Sequence, residues 1–146
     1  MKTYILLFVF LFSSVMSNSQ TIEGIYANKW VADSGEGIAY TLNLKPDGTF
    51  TFEYKRMYKN DMEHRVVDVQ GTWILDNHLL TLYTEGQTDD EIATLLDENT
   101  ARFVTISPRH PQFNLVKPKL KFYESDVFYA KNMELIKTES GVTASE

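Results

Sequence analysis

At 146 residues the chain has one domain's worth of length. Its 14 basic and 20 acidic side chains leave a net charge of −6, which argues against nucleic acid or an anionic membrane as partner, because both are held by Lys and Arg neutralising phosphate. The absence of cysteine excludes disulfides, makes a structural zinc site untenable and removes the thiol that a bacterial lipoprotein acylates.

The first residues read as an export signal. Lys2 precedes the apolar run Tyr4 to Phe12, and the small or polar Ser13, Ser14, Ser17, Asn18 and Ser19 follow. A basic start, an apolar run of about ten residues and a small-residue exit define a secretory signal peptide, and the run is too short for a membrane span. Cleavage is expected after Ser19, leaving Gln20 as the first residue of a product without a membrane span, secreted or periplasmic. The domain itself is expected over 20–138 and a frayed tail over 139–146, where apolar residues give out.

From Thr21 onward the pattern is β. Thr21 to Tyr26 alternates apolar and polar residues and predicts a first strand, with Gly24 admitting a close neighbour. Asn28 to Gly37 reads as a polar, glycine-rich loop, with Trp30 and Val31 folding over the core beside it. The clearest stretch is Ile38 to Leu82. Tyr40, Leu42 and Leu44 share one face, as do Phe50, Phe52 and Tyr54, in the period-two rhythm of strands with one wet and one buried side. Between them Pro46-Asp47-Gly48 makes a hairpin: Pro46 presets the first turn dihedral, Asp47 bonds backbone two residues on, and Gly48 takes the left-handed conformation. Met57 to Arg65 is a charged loop. Val67, Val69, Gly71, Trp73 and Leu75 then return on one face, and Asp76-Asn77 turns the chain into Leu80 and Leu82.

Gly86 to Asn99 breaks the rhythm. Thr88-Asp89-Asp90-Glu91 has the form of a capping box, and Ile92, Leu95 and Leu96 recur at helical spacing, predicting a short amphipathic helix over 89–97 that caps an open end. The remainder reads as strands over 102–106, 112–116, 119–123 and 127–137, the last with a break near Lys131-Asn132. The fold class expected is all-β: an antiparallel up-and-down meander closing into a barrel of eight to ten strands.

Chemistry is sparse. His64, His78 and His110 lie singly in loops, with no spacing suited to a metal and no nucleophile beside them. Helix capping accounts for Asp89, Asp90 and Glu91 without calcium, and no phosphate loop or dinucleotide fingerprint occurs. No catalytic set, metal or cofactor is therefore assigned, and a non-enzymatic protein is expected. What remains is the aromatic interior: Tyr40, Phe52, Tyr54 and Trp73 face inward by alternation. They form either a packed core or the walls of a cavity for one small apolar molecule, since barrels of about eight strands accommodate both.

Gly24-Ile25-Tyr26, the hairpin Leu42 to Phe50, and Gly71-Thr72-Trp73 followed by Leu80-Thr81-Leu82 together resemble the lipocalin-like, or calycin-type, small secreted barrels of bacteria. Tyr26 stands where lipocalins carry a tryptophan, and Lys131 or Lys137 where they stack an arginine on it. The resemblance implies a barrel holding a small hydrophobic or amphipathic molecule, with Tyr40, Phe52, Tyr54 and Trp73 as its wall. The alternative reading is a filled barrel binding another protein, as an inhibitor or envelope-assembly factor, through the loops Tyr58 to Arg65 and Ser107 to Gln112.

Overall fold

A computed structural model describes residues 21–59, 65–85, 91–128 and 132–138. The signal peptide with its cleavage point, the centre of the charged loop with His64, the start of the capping box and the tail all lie outside the described residues. Eight strands run in chain order around one closed antiparallel barrel: β1 (Gly24–Val31), β2 (Gly37–Leu44), β3 (Thr49–Met57), β4 (Arg65–Asp76), β5 (Leu79–Thr84), β6 (Thr100–Val104), β7 (Lys119–Phe122) and β8 (Met133–Lys137). Among the described residues one short helix, α1 (Glu91–Leu96), lies between β5 and β6. The expected all-β meander is thus an eight-stranded barrel in which every strand has a neighbour on both sides.

Alternation places the core. Tyr40, Leu42 and Leu44 on β2 meet Tyr54, Phe52 and Phe50 on β3 as direct cross-strand partners, and Val67 and Val69 continue the row on β4. Gly71 lies opposite Phe50, and a β-carbon there would collide with the Tyr83 carbonyl of β5, so the absent side chain lets the neighbouring backbone close in. The hairpin between β2 and β3 is built as its residues predict. Gly48 sits at φ 84°, and Asp47 Oδ1 accepts from the Thr49 amide at 2.9 Å and from its hydroxyl at 2.6 Å. The turn between β4 and β5 is a two-residue reversal with Asn77 and His78 both at positive φ, the geometry that matches strand twist.

Barrel closure rests on a short seam. Only Tyr26↔Lys137 and Ala27↔Ile136 pair β1 with β8. Side chains extend it. Lys137 Nζ lies 5.9 Å from the Tyr26 ring centroid and donates to the Thr21 carbonyl at 2.6 Å. Asn28 Nδ2 donates to the Glu134 carbonyl at 2.7 Å, and the Thr138 amide to the Ile25 carbonyl at 2.7 Å. Tyr26 and Lys137 thus form a cation–π contact across the seam, with tyrosine and lysine in place of a tryptophan and an arginine. Gly24 sits at φ 139°, a backbone conformation that side chains disfavour, and its close neighbour is the Lys137 side chain and not a backbone.

Several boundaries differ from expectation. The first strand runs on to Val31, because β2 supplies ladder partners from Leu44 back to Gly37 whether or not the side chains alternate. The loop shrinks to residues 32–36, closed by the Ala32 amide on the Glu36 carbonyl, and Trp30 and Val31 are exposed instead of folded over the core. The stretch 112–116 is not a strand. Its amides turn back locally, Phe113 to His110, and Leu115 and Val116 to Gln112, within a segment holding Pro108, Pro111 and Pro118, which have no amide to give a ladder. Leu75, expected inside, is exposed at the tip of the β4–β5 hairpin. The last strand is shorter than the 127–137 expected: β8 begins at Met133, Val127 and Phe128 belong to no strand, and Asn132, beside the expected break, has φ 57°.

Successive connections alternate between the two ends. The described parts of the connections after β1, β3, β5 and β7 lie at one end, and 45–48, 77–78 and 105–118 at the other. The first end is covered from the β4–β5 side by α1, whose Ala93 and Leu96 join the core. Asp97 follows the helix, and its Oδ1 accepts the Thr84 amide at 2.8 Å.

Candidate functional site

Three of the four expected wall residues meet inside the barrel. The Tyr40 ring lies 6.3 Å from Phe52 and 5.7 Å from Tyr54, and all three are buried. A fourth ring completes the group. Phe128, on the segment between β7 and β8, sits edge-on to Tyr40 at 4.9 Å and to Phe52 at 6.1 Å, and 4.6 Å from Phe122. These separations are those of aromatic pairs in contact. The space above Phe52 is therefore occupied by the protein's own ring, entering from the end that α1 also covers. Sequence reasoning did not single out Phe128, because its neighbourhood has no alternation; the adjacent pair Val127-Phe128 in a polar stretch was the available signal.

Trp73 is elsewhere. It lies six residues along β4 from Val67, the partner of Tyr54, hence about 20 Å away along the strand. Its indole Nε1 donates to the Lys45 carbonyl at 3.1 Å and the Thr49 carbonyl at 3.0 Å, while its amide donates to the Gly48 carbonyl at 2.8 Å. Half-buried against the core, it clamps the β2–β3 turn at the opposite end from Phe128. The turn residues and Trp73 thus explain one another.

The seam carries a buried hydroxyl and a partly buried ammonium. The Tyr26 hydroxyl donates to the Ile22 carbonyl at 2.6 Å, and burial, with Glu23 adding a smaller push, holds the phenol well above its ordinary value of 10.0. Burial lowers the Lys137 ammonium, with Glu23 opposing. Neither lies beside a nucleophile. His78 occupies the β4–β5 turn, and His110 Nδ1 accepts the Gln112 amide at 3.1 Å within its own loop.

Outside, the 105–118 connection is ordered by its own hydrogen bonds, including His110 amide to Ser107 carbonyl at 2.8 Å and Arg109 amide to Ser107 Oγ at 3.3 Å. Leu115, 79% exposed, stands out from it with Val116 beside it. On the other loop singled out by sequence, the Arg56 guanidinium covers the Tyr58 ring at 5.3 Å.

An eight-stranded antiparallel up-and-down barrel with an aromatic core and long connections at both ends defines a small barrel domain, lipocalin-like at the level of architecture. The chain belongs to the NlpE N-terminal domain family, whose model matches residues 31–106, from the last residue of β1 to just past β6. That family is one of envelope lipoproteins. No curated protein and no solved structure matches the chain.

Proposed function

We propose that the protein is an exported envelope module whose barrel interior is structural and whose outer loops bind another protein. The observation that carries this reading is the ring of Phe128, packed on Tyr40, Phe52 and Phe122 in the space an interior ligand would take. The 105–118 connection supports it from the other side: an ordered loop that holds an exposed leucine, with Arg109 nearby, offers the apolar and arginine anchors typical of interfaces. Export rests on residues 1–19 acting as a cleaved leader, and N-terminal sequencing of protein from its host's envelope is expected to begin at Gln20.

A photo-crosslinking residue placed at position 115 in cells should capture one discrete protein. Leu115→Asp combined with Arg109→Ala should lower recovery of that same protein at least tenfold with an unchanged circular dichroism spectrum. The competing reading, a small hydrophobic or amphipathic molecule held by Tyr40, Phe52 and Tyr54, requires Phe128 to swing aside. A native mass spectrum carrying a small adduct released on denaturation, together with no crosslink at 115, would replace the protein-binding reading with that one.

A further inference from the structure

The outer face of β6, β7 and β8 carries a cleft of about 480 Å³ that no sequence motif announced. The register sets its charge. Arg102 on β6 lies directly opposite Lys121 on β7, which lies opposite Glu134 on β8, and Lys119 stands one row away. Both Glu134 oxygens accept from Lys119 Nζ at 3.0 Å, so the carboxylate lining the cleft is spent on Lys119 and not on the residue it faces. Lys121 instead rests over the Tyr123 ring at 5.0 Å. Among the described residues, no carboxylate forms an ion pair with Arg102 or Lys121.

Two like charges facing each other on adjacent strands destabilise a sheet. In a chain of net charge −6, with acids in excess, nothing in overall composition forces such a pairing. The opposed cations are explained if an anion joins them. A guanidinium offers a planar fork of donors, and an ammonium beside it offers a mobile point charge, a combination suited to an oxyanion bearing about two charges. The cleft volume leaves room for a carrier beyond the anion itself.

We propose that this cleft is an oxyanion site for a phosphate monoester, bound by Arg102 and Lys121 with Lys119 and Glu134 bracing the floor. The site is independent of the protein-binding reading above, since it uses neither position 109 nor 115. The first probe is inorganic phosphate, titrated into the isotopically labelled protein and followed by nuclear magnetic resonance. Saturable shifts centred on Arg102 and Lys121 are expected, and the double variant Arg102→Gln, Lys121→Gln should weaken binding at least tenfold. Lys55→Gln, on β3 away from the cleft, should bind as the parent does.

Vesicles distinguish the source of the phosphate. Sedimentation with phosphatidylcholine vesicles containing phosphatidic acid, and not with phosphatidylcholine alone, lost in the double variant, would identify a lipid headgroup. Binding of free phosphate without vesicle binding would identify a soluble ester. A second readout does not depend on binding: removing the like-charge pair by Lys121→Gln should raise the thermal midpoint in phosphate-free buffer and abolish the upward shift that phosphate produces in the parent. Linear, unsaturable shifts that persist in the double variant, or a midpoint unmoved by phosphate, would overturn the proposal.

Discussion

Asp47 does two jobs with one oxygen, taking the Thr49 hydroxyl and amide together, and those bonds, in that order of weight, hold its carboxyl below the usual range. A carboxyl lowered on folding contributes stability above its unfolded value, near 3.8, and loses that contribution as pH falls through the folded value. Asp47→Ala should therefore unfold at a lower temperature than the parent at pH 7, with the gap narrowing towards pH 2. Calorimetry at the two pH values checks it, and a gap independent of pH would detach the carboxylate from the effect. Tyr26 has the opposite sign. Its phenol is raised on folding, so its contribution is intact below 10.0 and declines as pH rises beyond, when the unfolded chain releases the proton first. Lys137, lowered by burial, works against this by favouring the folded state as pH rises. Tyr26→Phe isolates the phenol. It should cost about 1 kcal/mol at pH 7 through the lost bond to Ile22, yet show a shallower fall in stability between pH 10 and 12 in denaturant titrations.

Elements depend on partners distant in sequence. The segment between β7 and β8 has little regular structure among its described residues, but Phe128 from it completes the interior. Phe128→Ala should cost about 3–5 kcal/mol in urea unfolding, in the range for burying and then deleting an aromatic ring. It should also open an apolar space that takes up a small aromatic such as indole, measurable by calorimetric titration, where the parent takes up none. A loss below 1 kcal/mol with no uptake would mean the ring is not filling the core. The β2–β3 turn shows how far local chemistry reaches: Pro46, Asp47 and Gly48 specify its form, while Trp73, from the next strand over, holds it in place through both indole and backbone. The alternation that placed Trp73 facing inward did not show that it belongs to the end opposite Tyr40, since alternation reports a face and not a height along the barrel.

The whole molecule is held unevenly. β2, β3 and β4 share eight-residue registers, whereas β1 and β8 share two pairs and borrow side chains to close. Hydrogen exchange should accordingly show the Thr138 amide, which crosses the seam to the Ile25 carbonyl, opening well before those of Leu42, Phe52 and Val69, in the order set by local ladder length. Equal protection across the seam and the β2–β4 sheet would mean that closure is as cooperative as the rest. From the sequence alone, the alternation of Tyr40 to Leu44, Phe50 to Tyr54 and Val67 to Gly71, the turn chemistry of Pro46 to Gly48, and the helical spacing of Ile92, Leu95 and Leu96 already determined an all-β meander with one helix, because each signal is written within a few neighbouring residues. Only the tertiary structure decided the strand count, the extension of β1 to Val31, the turning of 112–116 away from the sheet, the entry of Phe128, and the meeting of Arg102 with Lys121. Those features arise from pairings between residues far apart along the chain, where the energy of a contact depends on which strand lies beside which and in what register.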